Sequence, residues 1–441
     1  MRTLACALLC LLLPRVSAAA TGTVAVDLEA LVSEAIEAHP SVAAARAQAD
    51  ALHFAAEAAG AWHEPMLSLG INNLPYNPLS LNATPMSGVR IGVQQTFVWP
   101  GKTELQRSAA EAKAHAADAT GQQRAQDLAL AVRLTVYDIH LVDISQVVLT
   151  ENLKTLGRFV QIADAKYRVG RGDQRNVLRA RVAQSQLQER IISLTRQRVR
   201  LLARLGHLLA RPSPLVLATM INVPMSHVDP QLSAEGLLDK AIDARPHLRA
   251  LQHAYEQSVD RAKLADKAAL PDMQVGLSYT FRGDAGGKDP INGADFLGLS
   301  VGFGLPVFYA TQQAPEAEAR HAQVQVHRAE LQAAHLRIRE RIHRVLGELP
   351  AIEAQMQVYE RAIIPNTQQA LDAELAAYQV DRADFLDLLD LEMKLLAYQI
   401  DFHRLHAEHE KLLVQLAAAV GVPPKQLTAG QHMHHSVKGQ P

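Results

Sequence analysis

Two aspartates three residues apart, Asp387 and Asp390, have the type and spacing to do chemistry. On a helix that spacing sets both carboxylates on one side, where they can hold cations or repel anions. The plainer reading is a solvated face, or acidic charge placed near a helix N-terminus. They close the stretch Tyr378 to Asp390, YQVDRADFLDLLD, which also carries Arg382 and Asp384. A second group with ligand character is His432, Met433, His434 and His435 near the C-terminus. Imidazole and thioether suit soft or borderline metals, though a polar tail can hold histidines without binding anything. Catalytic patterns are missing. His63-Glu64 lacks the second histidine of a zinc-protease motif, and nothing matches a P-loop, a nucleophile elbow or a cysteine cluster. The expectation is a protein that is not an enzyme and carries no cofactor.

The rest of the chain bounds what could position these residues. It has 441 residues, 48% hydrophobic, 20% charged and only 5% aromatic. An apolar share made mostly of Ala and Leu belongs to long helices rather than to an aromatic enzyme core. The net charge of −1 gives no basic excess, so nucleic acid is set aside as a partner. Residues 1–20 read as an export leader: Arg2, an apolar run from Leu4 to Leu13, and small residues at Val16-Ser17-Ala18 or Ala18-Ala19-Ala20. Both cysteines, Cys6 and Cys10, fall inside it, so the mature chain has no disulfide. No later stretch offers 18 uncharged apolar residues. An exported chain without such a stretch is either soluble or a β-barrel.

Internal duplication organises the remainder. Residues 28–40, LEALVSEAIEAHP, align without a gap on 234–246, AEGLLDKAIDARP. Pro65 and Gly70 fall on Pro271 and Gly276 at the same offset of 206. Tyr167 to Leu178, YRVGRGDQRNVL, matches the Tyr378 stretch at an offset of 211. A period this long means two halves of one fold rather than a solenoid. The first half spans 21–211, a linker 212–231, and the second half 232–421, with an unstructured tail at 422–441. Each half has two segments of period-two alternation, about 65–73 and 88–98, then 271–282 and 296–307. Apolar residues such as Leu277, Tyr279 and Phe281 alternate there with Gly276, Ser278 and Thr280. That is the pattern of a membrane β-strand, apolar to lipid and polar to lumen, and also of a half-buried soluble hairpin. Four strands cannot close a barrel, so strands in a membrane would have to be shared between chains; three chains give twelve. Very long helices follow, about 103–168 with its return 174–209, then 313–378 with its return 384–420. The first would span roughly 100 Å. A break is expected at Leu349-Pro350 and a kink at Pro365. The helices must pack on one another as coiled coil.

The order of these parts resembles the TolC-type outer-membrane efflux proteins over nearly the whole mature chain. The residues that carry the resemblance are the openings Glu34-Ala35 to Pro40 and Lys240-Ala241 to Pro246, and the junction Gln95 to Lys102 (QTFVWPGK). The turns beginning Tyr167-Arg168-Val169-Gly170 and Tyr378-Gln379-Val380-Asp381 complete the set. In the second turn Asp381 stands where the usual glycine is expected. The resemblance implies a mainly α fold with a small transmembrane β part and two repeats. It implies a homotrimer with a twelve-stranded β-barrel in outer-membrane lipid of a Gram-negative bacterium. A twelve-helix barrel then reaches into the periplasm, meeting an adaptor protein and an inner-membrane pump of the resistance-nodulation-division type. By the same resemblance Asp387 and Asp390 line a periplasmic iris, with Tyr378, Arg382 and Asp384 as its latch. Val169, Gly170, Arg171 and Asp173 become adaptor contacts, and Phe97, Trp99, Phe308 and Tyr309 membrane-interface aromatics. The Trp-Pro-Gly-Lys junction looks like that of relatives paired with metal-exporting pumps, which makes heavy-metal cations the expected cargo, with His432, His434 and His435 the weakest of the metal candidates. A soluble coiled-coil adaptor or a periplasmic metal-binding protein are the alternatives.

Overall fold

The computed structural model describes residues 27–211, 226, 232–286 and 291–428. The expected leader at 1–20, nearly all of the expected linker and the segment holding His432, His434 and His435 lie outside the described residues. The first half opens with α1 (Leu28–Ala38) and α2 (Pro40–Ala59). Asp27 starts α1 by accepting the Glu29 N–H, and Pro40 fills the first position of α2, where its missing donor costs nothing. Strands β1 (Met66–Asn72) and β2 (Gly88–Phe97) follow, then α3 (Lys102–Arg168) and α4 (Gln174–Leu208). The second half repeats the order with α5 (Ala234–Ala244), α6 (Pro246–Asp266), β3 (Met273–Arg282) and β4 (Phe296–Phe303). It ends with α7 (Gln313–Val358), α8 (Ile364–Gln379) and α9 (Phe385–Val420). At 1.5 Å per residue the 67 residues of α3 reach about 100 Å. Among the described residues no helix is long and apolar enough to cross a membrane.

The four strands make one antiparallel sheet in the order β1-β2-β3-β4. Its register lines the residues up by character. Leu67, Val93, Leu277 and Leu299 form one continuous row, and Leu69, Ile91, Tyr279 and Leu297 another. Between these rows runs Ser68, Gly92, Ser278 and Gly298. Apolar rows therefore share one face, and on it Leu67, Leu69, Leu277, Leu297 and Leu299 are all exposed in the single chain. The outer edges, β1 and β4, each have a partner on one side only. β4 stops at Phe303 rather than reaching 307. Pro306 cannot donate to a ladder, and the Val307 N–H turns back to the Leu305 carbonyl.

Among the described residues the core comes in three clusters along the helices. Leu31, Val32, Val132, Val136, Ile139 and Leu205 pack α1, α3 and α4 together, and the second half repeats the arrangement with Leu237, Ile338, Ile342, Val345, Leu413 and Leu416. The third, with Leu156, Phe159, Val177, Tyr378, Phe385 and Leu388, binds the two hairpin ends to each other. The break expected at Leu349-Pro350 is not there. α7 runs through Pro350, with Val345 and Leu349 locked in the core beside it. The irregularity falls instead at Tyr359–Ile363, a single π turn directly before Pro365. The Pro365 ring crowds the carbonyl four residues back, and the ladder widens to pass it, the Ile364 N–H reaching the Tyr359 carbonyl. The tail also begins later than expected, because Leu427 is buried against the second-half core after a short turn at Pro424–Gln426.

Candidate functional site: the paired hairpin tips

Both hairpins turn by the same local chemistry. At the first tip the Arg171 N–H bonds the Lys166 carbonyl at 2.8 Å; at the second, the Arg382 N–H bonds the Ala377 carbonyl at 2.9 Å. This closes the helix over a residue in the left-handed region. That residue is Gly170 with φ +73° at the first tip and Asp381 with φ +65° at the second. The departure from glycine therefore leaves the turn geometry intact, at the strain an L side chain bears there. Asp173 and Asp384 then start the return helices, and Asp384 accepts the Leu386 N–H at 3.2 Å. Asp173 makes no cap bond and pairs with Arg175 at 2.7 Å.

Asp381 does something glycine cannot. Its Oδ1 lies 2.5 Å from Lys166 Nζ on the neighbouring hairpin, and Arg171 approaches its other oxygen at 4.0 Å. Lys166 also donates to the Tyr378 carbonyl and sits 4.4 Å above the Tyr378 ring. The Lys166 hydrogen bond holds the Asp381 carboxyl below its usual range against the opposing pull of burial, with the charges of Lys166 and Arg171 adding to it. One lysine thus ties the two tips together. Sequence reasoning missed it because its partners are 212 and 215 positions away. The one available signal was that the offset of 211 sets Lys166 opposite Ala377, so the halves differ there.

The other expected residues distribute around this tie. Tyr378 is buried and packs on Phe385 at 5.5 Å between ring centres. Arg382, Asp387 and Asp390 are exposed. Asp390 pairs with Lys394 at 2.6 Å, whereas the Asp387 carboxylate has no partner among the described residues. Val169 and Arg171 project from the first tip, and a Cβ at Gly170 would meet nothing within 4 Å. At the opposite end, Trp99, Phe308 and Tyr309 are exposed, and Phe97 meets Trp62 edge-on at 5.8 Å. Trp62, 75% exposed, is an aromatic of this group that the strand pattern did not reveal.

The junction after β2 has a structural explanation. Asp272, at the entry to β3, accepts from the Trp99 N–H and from Lys102 Nζ, both at 2.9 Å. Lys102 also donates to the Leu270 carbonyl at 2.7 Å. Gly101 has φ +82°, and a Cβ there would lie 2.6 Å from Lys267 Nζ. The Trp-Pro-Gly-Lys motif therefore ties the start of α3 in the first half to the entry of β3 in the second.

A four-stranded sheet with open edges, hung over two long helical hairpins, is the fold of outer-membrane channel subunits. The chain superposes on the outer-membrane channel OprN with a TM-score of 0.74 at 16% identity, over 90% of each chain. It matches the outer membrane protein VceC from Vibrio cholerae at 0.74 and 20%, over 90% of this chain and 96% of that one. CusC gives 0.73 and 15%, over 90% and 92%. No curated protein sequence matches. Residues 31–211 and 237–422 each match the outer membrane efflux protein family, and the chain belongs to that family. Membership makes it a conduit rather than an enzyme, and the adaptor and metal-binding alternatives give way to it.

Proposed function

We propose that three copies of this chain close a twelve-stranded barrel in the outer membrane of a Gram-negative bacterium and a helical tunnel in the periplasm beneath it. The assembly serves as the exit duct of a tripartite efflux system, with a periplasmic adaptor and an inner-membrane pump of the resistance-nodulation-division type. The observation that carries this is the sheet: β1 and β4 each keep an open edge beside a continuous apolar face. An open edge cannot sit in lipid. Strand directions alternate, so β4 of one copy meets β1 of the next antiparallel, and the ring closes without a new kind of pairing. Asp387 and Asp390 form the acidic lining of the narrow periplasmic end. Tyr378, Arg382 and Asp384 shape it, and Val169, Gly170, Arg171 and Asp173 face the adaptor. Phe97, Trp99, Phe308 and Tyr309 mark the membrane boundary, where aromatic rings suit the interface. Heavy-metal cations are the proposed cargo, on the likeness of the Trp99–Lys102 junction to that of relatives paired with metal-exporting pumps. The test is the mass of the detergent-extracted mature protein by light scattering, before and after heating in SDS. A trimer that falls to monomer on heating is expected; a monomer soluble without detergent would overturn the shared barrel and the duct with it.

A further inference from the structure

Away from the tips, where α2 and α6 lie along α3, the fold brings histidines and one carboxylate together. His53 of α2 places Nε2 at 2.7 Å from Asp118 Oδ2, and His115 of α3 places Nδ1 at 3.8 Å from the same oxygen. The three ligand atoms all lie within 4.8 Å of one another. His115 in turn packs against the ring of His253 of α6 at 5.5 Å, and His253 Nδ1 bonds Glu256 at 2.9 Å.

The backbone holds this arrangement close. Ala45, Ala49 and Ala56 of α2 and Ala112, Ala114 and Ala119 of α3 are buried. A Cβ on Gly121 would already be 3.7 Å from that of Ala45. Small residues let the helix axes approach, so side chains as short as His53 and Asp118 meet across the gap. His115 and Asp118 are three apart on one helix and share its face.

We infer that His53, His115 and Asp118 form a binding site for a borderline divalent metal ion, with Zn²⁺ the best fit, that staples α2 to α3. Two imidazoles and one carboxylate are a familiar zinc set, and bonds of about 2.0–2.2 Å put tetrahedral donors about 3.4 Å apart. The observed spacings bracket that value. All three side chains are about half exposed, so they have room to rotate and solvent can complete the sphere. Nitrogen and oxygen donors favour Zn²⁺, Co²⁺, Ni²⁺ or Cu²⁺ over Cu(I), which seeks sulfur. The site does not depend on the cargo, because binding is read on the isolated protein and export is read in cells.

The test is calorimetric titration of the detergent-solubilised channel with ZnCl₂, free of any affinity tag. His432, His434 and His435 are replaced by Ala in every sample so that the tail cannot contribute. One saturable site per chain is expected, weakened about tenfold or more by His53→Ala and by Asp118→Asn. Absence of saturable binding, or the same affinity in both variants, would overturn the site. Modification of the unsubstituted channel with diethylpyrocarbonate covers variants that fail to assemble. Zn²⁺ should shield His53 and His115 in the mass spectrum; equal labelling with and without the ion would also overturn it.

Discussion

Glu392 is a carboxylate in a setting that penalises its charge. It is 3% exposed, in a recess with Val147, Val148, Leu371 and Leu395. Burial, only partly offset by Arg158, pushes its carboxyl up to about 7. Below about 4.5 the folded and unfolded chains both hold the proton. Between about 4.5 and 7 only the folded chain does, so the contribution of Glu392 to stability falls as pH rises through that window and is level above it. Glu392→Gln keeps the shape and removes the ionisation. Its urea midpoint should lose that decline and exceed the parent's at pH 8, by a stability difference on the order of 1–3 kcal/mol. An unchanged slope between pH 5 and 8 would place the charge elsewhere. At this scale the sequence was uneven as a guide. Asp387 and Asp390 could be picked out by spacing alone. Lys166, His53 and Glu392 could not, because their significance is set by neighbours on other helices.

The elements were more legible, for reasons that are local. Alternation over Met273 to Phe281 reports a strand because successive side chains point to opposite faces. The glycine-centred turn at Tyr167 to Asp173 reports a hairpin end because a left-handed residue is needed there. The helix irregularity was half legible: a kink was expected at Pro365, beside which the π turn lies, and a break at Leu349-Pro350, where the helix runs on. Pro350 and Pro365 look alike in sequence, and packing decides which of them disturbs the ladder: buried Leu349 and Val345 carry the helix past the first, and the π turn adjusts to the second. The tips offer a clean test. A Cβ at Gly170 meets nothing, so Gly170→Ala should cost only the backbone strain of a left-handed alanine, about 1 kcal/mol, read as a lower urea midpoint. No measurable change would mean that the first tip relaxes freely. A far larger loss would mean a neighbouring chain fills that space.

For the whole molecule, the single chain explains its own helical core and leaves its sheet unfinished. The three clusters close within one copy, whereas the apolar face and both strand edges do not. That division is why fold class could be read from one sequence while the barrel had to be inferred from what four strands lack. Assembly also decides the electrostatics of the narrow end. In the proposed trimer, three copies of Asp387, unpartnered among the described residues, and of Asp390, paired with Lys394, would give two acidic rings of unequal strength. Replacing both aspartates with Ala should raise resting conductance in planar bilayers and weaken block by divalent cations. Conductance and block identical to the parent would take these residues out of the constriction.

The lysine at the hairpin ends has one more consequence, for symmetry. Lys166 pairs with Asp381, but the positions equivalent to them by duplication are Ala377 and Gly170, which can make no such bond. In the proposed trimer six hairpins would meet at six seams, three inside chains and three between them. By the duplication, only the seams within a chain would carry this bond, so that tight and loose joints would alternate around the proposed ring. Such a ring would part most easily into three pairs, and its aperture would be three-cornered rather than six-cornered.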